Sequence, residues 1–244
     1  MRNKKIISLL LLCCLVLSVG FSIAYGWEFL NADKDTKTNL DDAFIEAGKY
    51  VKNNEDLLTN MGEIVATVNE VPIYKNELLY RQGFASAIGQ QNNTLLDNFN
   101  ALARKKVLLA FAKKENIVAT EQEVQEFISK EQNAMKQSDE FRNAVELFCE
   151  NAGMSMEEYW NQYEYNIAKD IVTIGKLEKY IIDRAVSEGK LPKKTEKLDK
   201  DISKQYTKYL RDYKNNLMSK AEVEIKEGFK EKLNGFKKDN LIKQ

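Results

Sequence analysis

The chain of 244 residues contains no histidine. That absence excludes a Ser-His-Asp triad, a Cys-His pair and any histidine-ligated zinc or haem site. Cysteine is scarce as well, with 3 in all. Cys13 and Cys14 fall in an N-terminal apolar run, which leaves Cys149 alone in the body. One cysteine supports neither an internal disulfide nor a four-thiolate metal site. Placed on the apolar face of a helix, Cys149 reads as a small buried hydrophobe, with a reactive thiol as the alternative. With only 2 prolines and 11 glycines, the composition favours long helices over a sheet of many turns. Neither charge sign is in excess: 37 basic residues face 37 acidic ones, so net charge offers no support for nucleic-acid binding. The chain is 43% hydrophobic and 30% charged, enough apolar material for a core.

The first residues, MRNKK, carry three positive charges and no negative one, and from Ile6 to Ala24 no residue is charged. A basic start followed by an apolar run is the layout of a secretory signal. Ser22-Ile23-Ala24 places small residues for cleavage before Tyr25, and Ala24-Tyr25-Gly26 offers a second site. The run of 19 residues is long for a signal core and just long enough to span a bilayer. Residues 1–24 are therefore expected to be a signal peptide or a membrane anchor, with the body extracytoplasmic: secreted, or held on the outer face of the cytoplasmic membrane. Leu10-Leu11-Leu12 before Cys13 makes a poor lipoprotein signal, and the short Lys-rich start suits a Gram-positive bacterium. Without Arg2, Lys4 and Lys5, 34 basic residues remain against 37 acidic ones, net −3.

After a spacer over 25–38, apolar residues recur at helical spacing through Leu40, Phe44, Ala47, Val51 and Leu58. Gly62 closes that segment. Ile64 to Val68 and Val71 to Tyr74 read as two short strands around the turn Asn69-Glu70, with Pro72 at a sheet edge. A helix then begins at Asn76. Leu95 to Lys114 is apolar on nearly every side, which places it at the centre of a bundle. Asn116 suits the left-handed residue that ends a helix. Thr120 to Glu123 forms a capping box ahead of Val124, Phe127, Ile128, Glu131 and Met135 on one face. Ser138 caps a short helix that ends at Gly153. Ser155 to Glu158 is a second capping box and opens a long helix to about Ala185. Its stripe runs through Met156, Trp160, Tyr163, Ile167, Ile174, Leu177 and Ile181, with Tyr159, Tyr165, Val172 and Tyr180 off it. Another amphipathic helix follows from Leu198. Ala221 to Lys226 alternates strictly, as a half-buried strand does. The expectation is a mainly α fold: a helical lobe over 39–226 whose early hairpin pairs with this late strand, followed by a Lys-rich tail over 227–244.

The order of these parts is similar to the chaperone lobe of the SurA/PrsA-type extracytoplasmic foldases. Val65 to Leu78 (VATVNEVPIYKNEL) resembles that family's "VATVNGxPITKxEL" segment. Leu102 to Val124 resembles its "LIxxKLLLxxAKKxGIxVTxxEV" helix through Val107-Leu108-Leu109, Ala112-Lys113-Lys114 and Ile117 to Val124. GMSMEEYW (153–160) resembles "GLSxEEYW". YLRDYKNNLMSKAEVEI (209–225) resembles the segment that follows the isomerase domain. Glu70 stands in place of the family's turn glycine, and Tyr74 in place of a Ser/Thr helix cap. Family members with isomerase activity carry a parvulin domain before the last helix. The matching place here, Ser187 to Lys197, is eleven residues, far short of the roughly 50 a domain needs. The parvulin site also uses histidines. The resemblance therefore implies a chaperone lobe without isomerase activity, a non-enzyme with no cofactor and no metal.

Such a lobe needs an apolar, partly exposed surface and adaptable side chains. Candidates for polypeptide contact are Tyr80, Phe84, Tyr159, Tyr165 and Tyr180, with Met135, Met154 and Met156 nearby. Each also reads as ordinary core at helical spacing. The expected partners are unfolded or newly exported polypeptides. The membrane is a further contact through the N-terminal segment, and exchange of N-terminal helices between two copies would give a homodimer. The alternative reading is a membrane-associated interaction protein that docks one specific envelope partner.

Overall fold

The computed structural model describes residues 40–90, 93–193 and 200–242. The expected signal or anchor over 1–24 and the spacer over 25–38 lie outside the described residues. Helix α1 (Leu40–Asn53) and a short α2 (Glu55–Thr59) lead into β1 (Ile64–Val68) and β2 (Val71–Tyr74). Then come α3 (Lys75–Ala87), α4 (Leu95–Lys114), α5 (Glu121–Gln137) and α6 (Asp139–Ala152). A single turn, α7 (Met156–Glu158), runs through a π-helical turn (Tyr159–Tyr163) into the long α8 (Glu164–Ser187). The chain closes with α9 (Lys200–Lys220), β3 (Val223–Ile225), α10 (Glu227–Lys230) and a 3-10 turn (Lys238–Leu241).

The expected clasp between the early hairpin and the late strand is present. The sheet order is β2-β1-β3, antiparallel throughout, with Val68 opposite both Val71 and Val223. Asn69 reinforces it from the turn. Its N–H donates to the Glu222 carbonyl at 2.9 Å, and its Oδ1 accepts from the Glu222 N–H at 2.9 Å. Pro72 lies on β2, an edge strand, where a missing N–H breaks no ladder bond. Asn69 and Glu70 both sit at positive φ, 46° and 67°, as a two-residue hairpin turn of the I′ kind requires. A glycine would hold the second of these positions without the Cβ clash. Glu70→Gly is therefore expected to raise stability by about 0.5–1 kcal/mol, read as a higher denaturation midpoint at unchanged slope.

Local chemistry sets the helix ends. Thr120 Oγ1 accepts from the Glu123 N–H at 3.3 Å, and Glu123 reaches back to the Thr120 N–H at 2.8 Å. Ser155 and Glu158 repeat the exchange at 3.1 and 2.7 Å. Ser138 Oγ accepts from the Phe141 N–H at 3.2 Å. Thr94 and Asp97 form a third box, at the start of α4. Asn116 takes φ 59° after α4, and Gly153 takes φ 71° after α6. At the head of α3, where Tyr74 replaces a Ser/Thr cap, Glu77 meets the Tyr74 N–H only at 3.5 Å.

Two main cores result. One joins the sheet to α4, to the end of α9 and to the C-terminal segment, with Val65, Val68, Phe99 and Leu102 at its centre. The other joins α1, α3, α5, α6 and the π-helical turn, with Phe44, Phe84, Phe148 and Tyr159 inside. A small third cluster gathers Ala112, Leu177 and Ile181 where α4, α8 and α9 meet. Helix α4 serves both the first and the third, which accounts for its all-round apolar character. Helices α1 and α6 run side by side in the same direction, with Asp41 near Asn143 and Lys52 beside Gly153. Gly48 permits their approach: a Cβ there would lie 2.5 Å from the Phe148 carbonyl oxygen.

The segment 227–244, expected to be a loose helix or Lys-rich tail, is packed over its described part. Phe229, Leu233 and Leu241 are buried against the sheet core, and Phe236 meets Phe99 edge-on at 5.3 Å between ring centres. Arg104 donates to the Asn240 carbonyl at 2.9 Å. Four apolar residues spaced among many lysines cover the open side of the sheet core, and the lysines stay outside.

Candidate functional site

The eight residues expected to contact polypeptide fall into three different settings, and the structure does not bring them together into one groove. Tyr80, Phe84 and Tyr159 are core residues; Tyr159 is 1% exposed. Met135, Met154, Met156 and Tyr165 are half-buried around that same core. Tyr180 belongs to the separate cluster between α4, α8 and α9, where its hydroxyl donates to Glu115 Oε2 at 3.0 Å.

The correction for Tyr159 has a local cause. Tyr159 lies three residues after Met156 and four before Tyr163, so even a regular helix puts it on the face of their stripe. The π-helical turn over Tyr159–Tyr163 adds a residue to one turn and rotates the face. Tyr159 and Trp160 are then both buried, with ring centres 4.8 Å apart, and Tyr163 stacks on Tyr159 at 5.9 Å. Tyr159 donates to Glu164 Oε2 at 3.3 Å, and the Tyr80 and Tyr163 hydroxyls meet at 3.5 Å. Burial is the main influence on these phenols and pushes all three above the ordinary tyrosine range. Tyr80 and Phe84 are fixed by Tyr50, whose ring lies 5.5 and 6.1 Å from theirs. Cys149 is free and buried, and desolvation raises its thiol to about 11, so it stays protonated at neutral pH.

The exposed apolar surface lies elsewhere. Five large hydrophobic residues are exposed among the described residues: Leu58, Met61, Ile64, Leu79 and Val118. The first four lie on adjoining segments: α2, the link to β1, the start of β1 and the first turns of α3. The Asn76 N–H donates to the Met61 carbonyl at 3.3 Å, and Asn76 Nδ2 to the Asn60 carbonyl at 2.6 Å. Leu79 lies one helical turn beyond Asn76, on the same side of α3. Ile64 pairs with Tyr74 at the head of α3. Met61 is half exposed, at 50%. Exposed Glu55, Asp56 and Glu63 rim the patch, and Glu63 pairs with Lys75 at 3.2 Å. Leu58 and Leu79 belong to helical apolar patterns that sequence reading assigns inward. The break after Asn53 and the five-residue length of α2 turn Leu58 outward.

A second, less open face is the aromatic side of the third cluster. Phe111, Tyr180, Tyr209 and Tyr213 are half-buried there over three fully buried residues. The rings of Phe111 and Tyr213 lie 6.2 Å apart, and those of Tyr209 and Tyr213 6.3 Å apart. The ion pair between Lys214 and Glu178 ties α9 to α8 beside it.

Among the described residues no group of three or more cysteine or acidic side chains could hold a metal ion, and no helix is long and apolar enough to cross a membrane. The chain matches no known family model, no curated protein and no solved structure. What the geometry defines is a mainly α protein with a three-stranded clasp and exposed apolar residues about the open end of the hairpin.

Proposed function

We propose that this chain is an extracytoplasmic chaperone of the SurA/PrsA kind without an isomerase domain, which holds unfolded or newly exported polypeptides and performs no catalysis. The observation that carries this reading is the patch of Leu58, Met61, Ile64 and Leu79. Four large exposed apolar side chains on adjoining segments suit contact with another apolar surface. Leucine and methionine are flexible enough to accept varied side chains. The half-buried Met135, Met154, Met156 and Tyr165 and the face carrying Tyr180 are secondary contacts in this reading. The basic, then apolar, N-terminal residues support export, either by a cleaved signal or with retention at the membrane.

The energetics suit transient holding. Burying one client side chain against the patch contributes about 1.5–3 kcal/mol. Three or four such contacts, less the cost of ordering the client, correspond to roughly micromolar affinity. The test is light scattering from a reduced, aggregation-prone client as the protein is titrated in. Aggregation is expected to fall near stoichiometric ratios. The triple variant Leu58→Ser, Met61→Ser, Leu79→Ser is expected to need at least about tenfold more protein for the same effect, since the loss of even one such contact is worth about 1.4 kcal/mol or more. Its melting temperature should stay close to that of the wild type, because exposed residues contribute little to folding. Unchanged scattering with folded wild-type protein would sink the proposal and point to one dedicated envelope partner.

A further inference from the structure

Two carboxylic acids are sealed inside the helical lobe. Glu131 on α5 is 5% exposed and Glu164, at the start of α8, is 1% exposed. Helices α5 and α8 pack antiparallel here. At the other end of the contact Thr173 Oγ1 accepts from the Ala119 N–H at 3.0 Å, and Lys176 pairs with Glu123 at 2.6 Å. That outer pair is partly exposed and of ordinary kind. The inner pair is not: two ionised carboxylates in a dry core repel each other and lose their hydration.

The hydrogen bonding resolves the conflict. Tyr159 donates to Glu164 Oε2, while Glu131 Oε2 and Glu164 Oε1 meet no N–H or hydroxyl donor among the described residues. The two carboxyls lie close enough to act on each other, and a hydrogen bond between them is the partner left to the two orphaned oxygens. Two carboxyls form such a bond only if one of them carries a proton. Around them stand Tyr159 and Tyr163 of the π-helical turn, with Tyr80 of α3 beside Tyr163 and Cys149 of α6 beside Tyr159. The phenols and the thiol are neutral at physiological pH, as shown above. Burial is the first influence on both carboxyls, followed by their action on each other and the Tyr159 bond; no cation figures among them.

We propose that Glu131 and Glu164 form a proton-holding latch between α5 and α8, closed while a proton sits between the two carboxyls and released when alkaline conditions remove it. A protein outside the cytoplasm meets the pH of its surroundings directly, so such a latch would loosen the α5–α8 packing in alkaline media. The inference does not depend on what the exposed patch binds.

The direction follows from proton linkage. Glu131 keeps its proton in the folded state up to about 8, against an ordinary value of 4.5, and Glu164 is also shifted upward. The unfolded chain releases both protons above about pH 4.5. The latch contribution is therefore complete below that pH and is lost as pH rises through about 8. Each retained proton raises the unfolding constant about tenfold per pH unit, on the order of a thousandfold between pH 5 and pH 8. Glu123, Glu158, Glu188, Asp212 and Glu224 are shifted the other way by their hydrogen bonds and ion pairs, so they titrate below this window.

Two measurements on the full chain test the latch. Infrared spectra at pH 7 should show the carbonyl band of a protonated carboxylic acid, losing intensity as pH rises through about 8, weaker in Glu131→Gln and absent from the double variant Glu131→Gln, Glu164→Gln. Urea unfolding from pH 5 to pH 8.5 should show the predicted loss of stability in the wild type and in the control Glu123→Gln, flattened by at least one proton in Glu131→Gln or Glu164→Gln. A wild type with no acid band at pH 7, or with stability flat across the window, overturns the proposal even if neither glutamine variant folds. So does a slope that survives intact in the glutamine variants.

Discussion

A chain ending at Lys226 is expected to lose the fixed packing of the sheet end, although all three strands remain in it. Residues 227–242 bring Phe229, Leu233 and Leu241 to full burial, and Leu241 has no exposed surface at all. Each such side chain is worth about 1.5–3 kcal/mol, so the three together amount to roughly 5–9 kcal/mol. That is comparable to the entire stability of an ordinary domain. The loss would also uncover Phe99 and Leu96, which Phe236 and Gly235 now cover. Near-ultraviolet circular dichroism and thermal unfolding should show a weakened or absent cooperative transition. Far-ultraviolet helical signal should persist in part, because the α1–α3–α5–α6 core does not touch this segment. Leu241→Ala, a milder version, should cost about 2–5 kcal/mol. A truncated chain that melts like the wild type would show the segment to be the tail its lysine content suggests.

The second large effect belongs to Tyr159. Tyr159→Ala is expected to cost about 3–5 kcal/mol, the range for removing a buried aromatic side chain. The ring is enclosed by Phe148 at 5.7 Å, Trp160 at 4.8 Å and Tyr163 at 5.9 Å. Its hydroxyl is also the donor to Glu164. Tyr159→Phe isolates that part, and leaving a buried carboxyl one donor short should cost about 1–3 kcal/mol. Both losses should appear as lower urea midpoints. Client holding by the folded fraction should be unaffected. If Tyr159→Ala instead kept wild-type stability and lost holding, the ring would be a contact residue and its place in the core would be wrong.

The contrast between Tyr159 and Leu58 shows where reading the sequence reaches its limit. Leu58 comes out on the opposite side from its place in a helical pattern, whereas Tyr159, read as lying beside a stripe, is buried on the face it shares with Tyr163. Helical periodicity assumes that each residue turns the chain by the same angle. The π-helical turn at Tyr159–Tyr163 and the break between α1 and α2 each shift that phase. Neither has a composition signal of its own. Glu131 was visible in the sequence as a lone carboxylate in an apolar stripe. Its partner Glu164 was not, because it comes from a helix 33 residues later and only packing makes them neighbours.

The sequence by itself determined the helix ends, the turn and the clasp. Thr120 with Glu123, Ser155 with Glu158, Asn116 and Gly153 act on backbone groups within a few residues, so their chemistry can be read without a fold. The strict alternation of Ala221 to Lys226 and the β-branched run from Ile64 left a small sheet as the way to satisfy both segments. Tertiary structure alone decided that the Lys-rich end is part of the core, that Leu58, Met61, Ile64 and Leu79 are left exposed, and that two glutamates share one dry space. Those outcomes depend on which surfaces remain uncovered after the helices have packed, a property of the whole chain that no local pattern encodes.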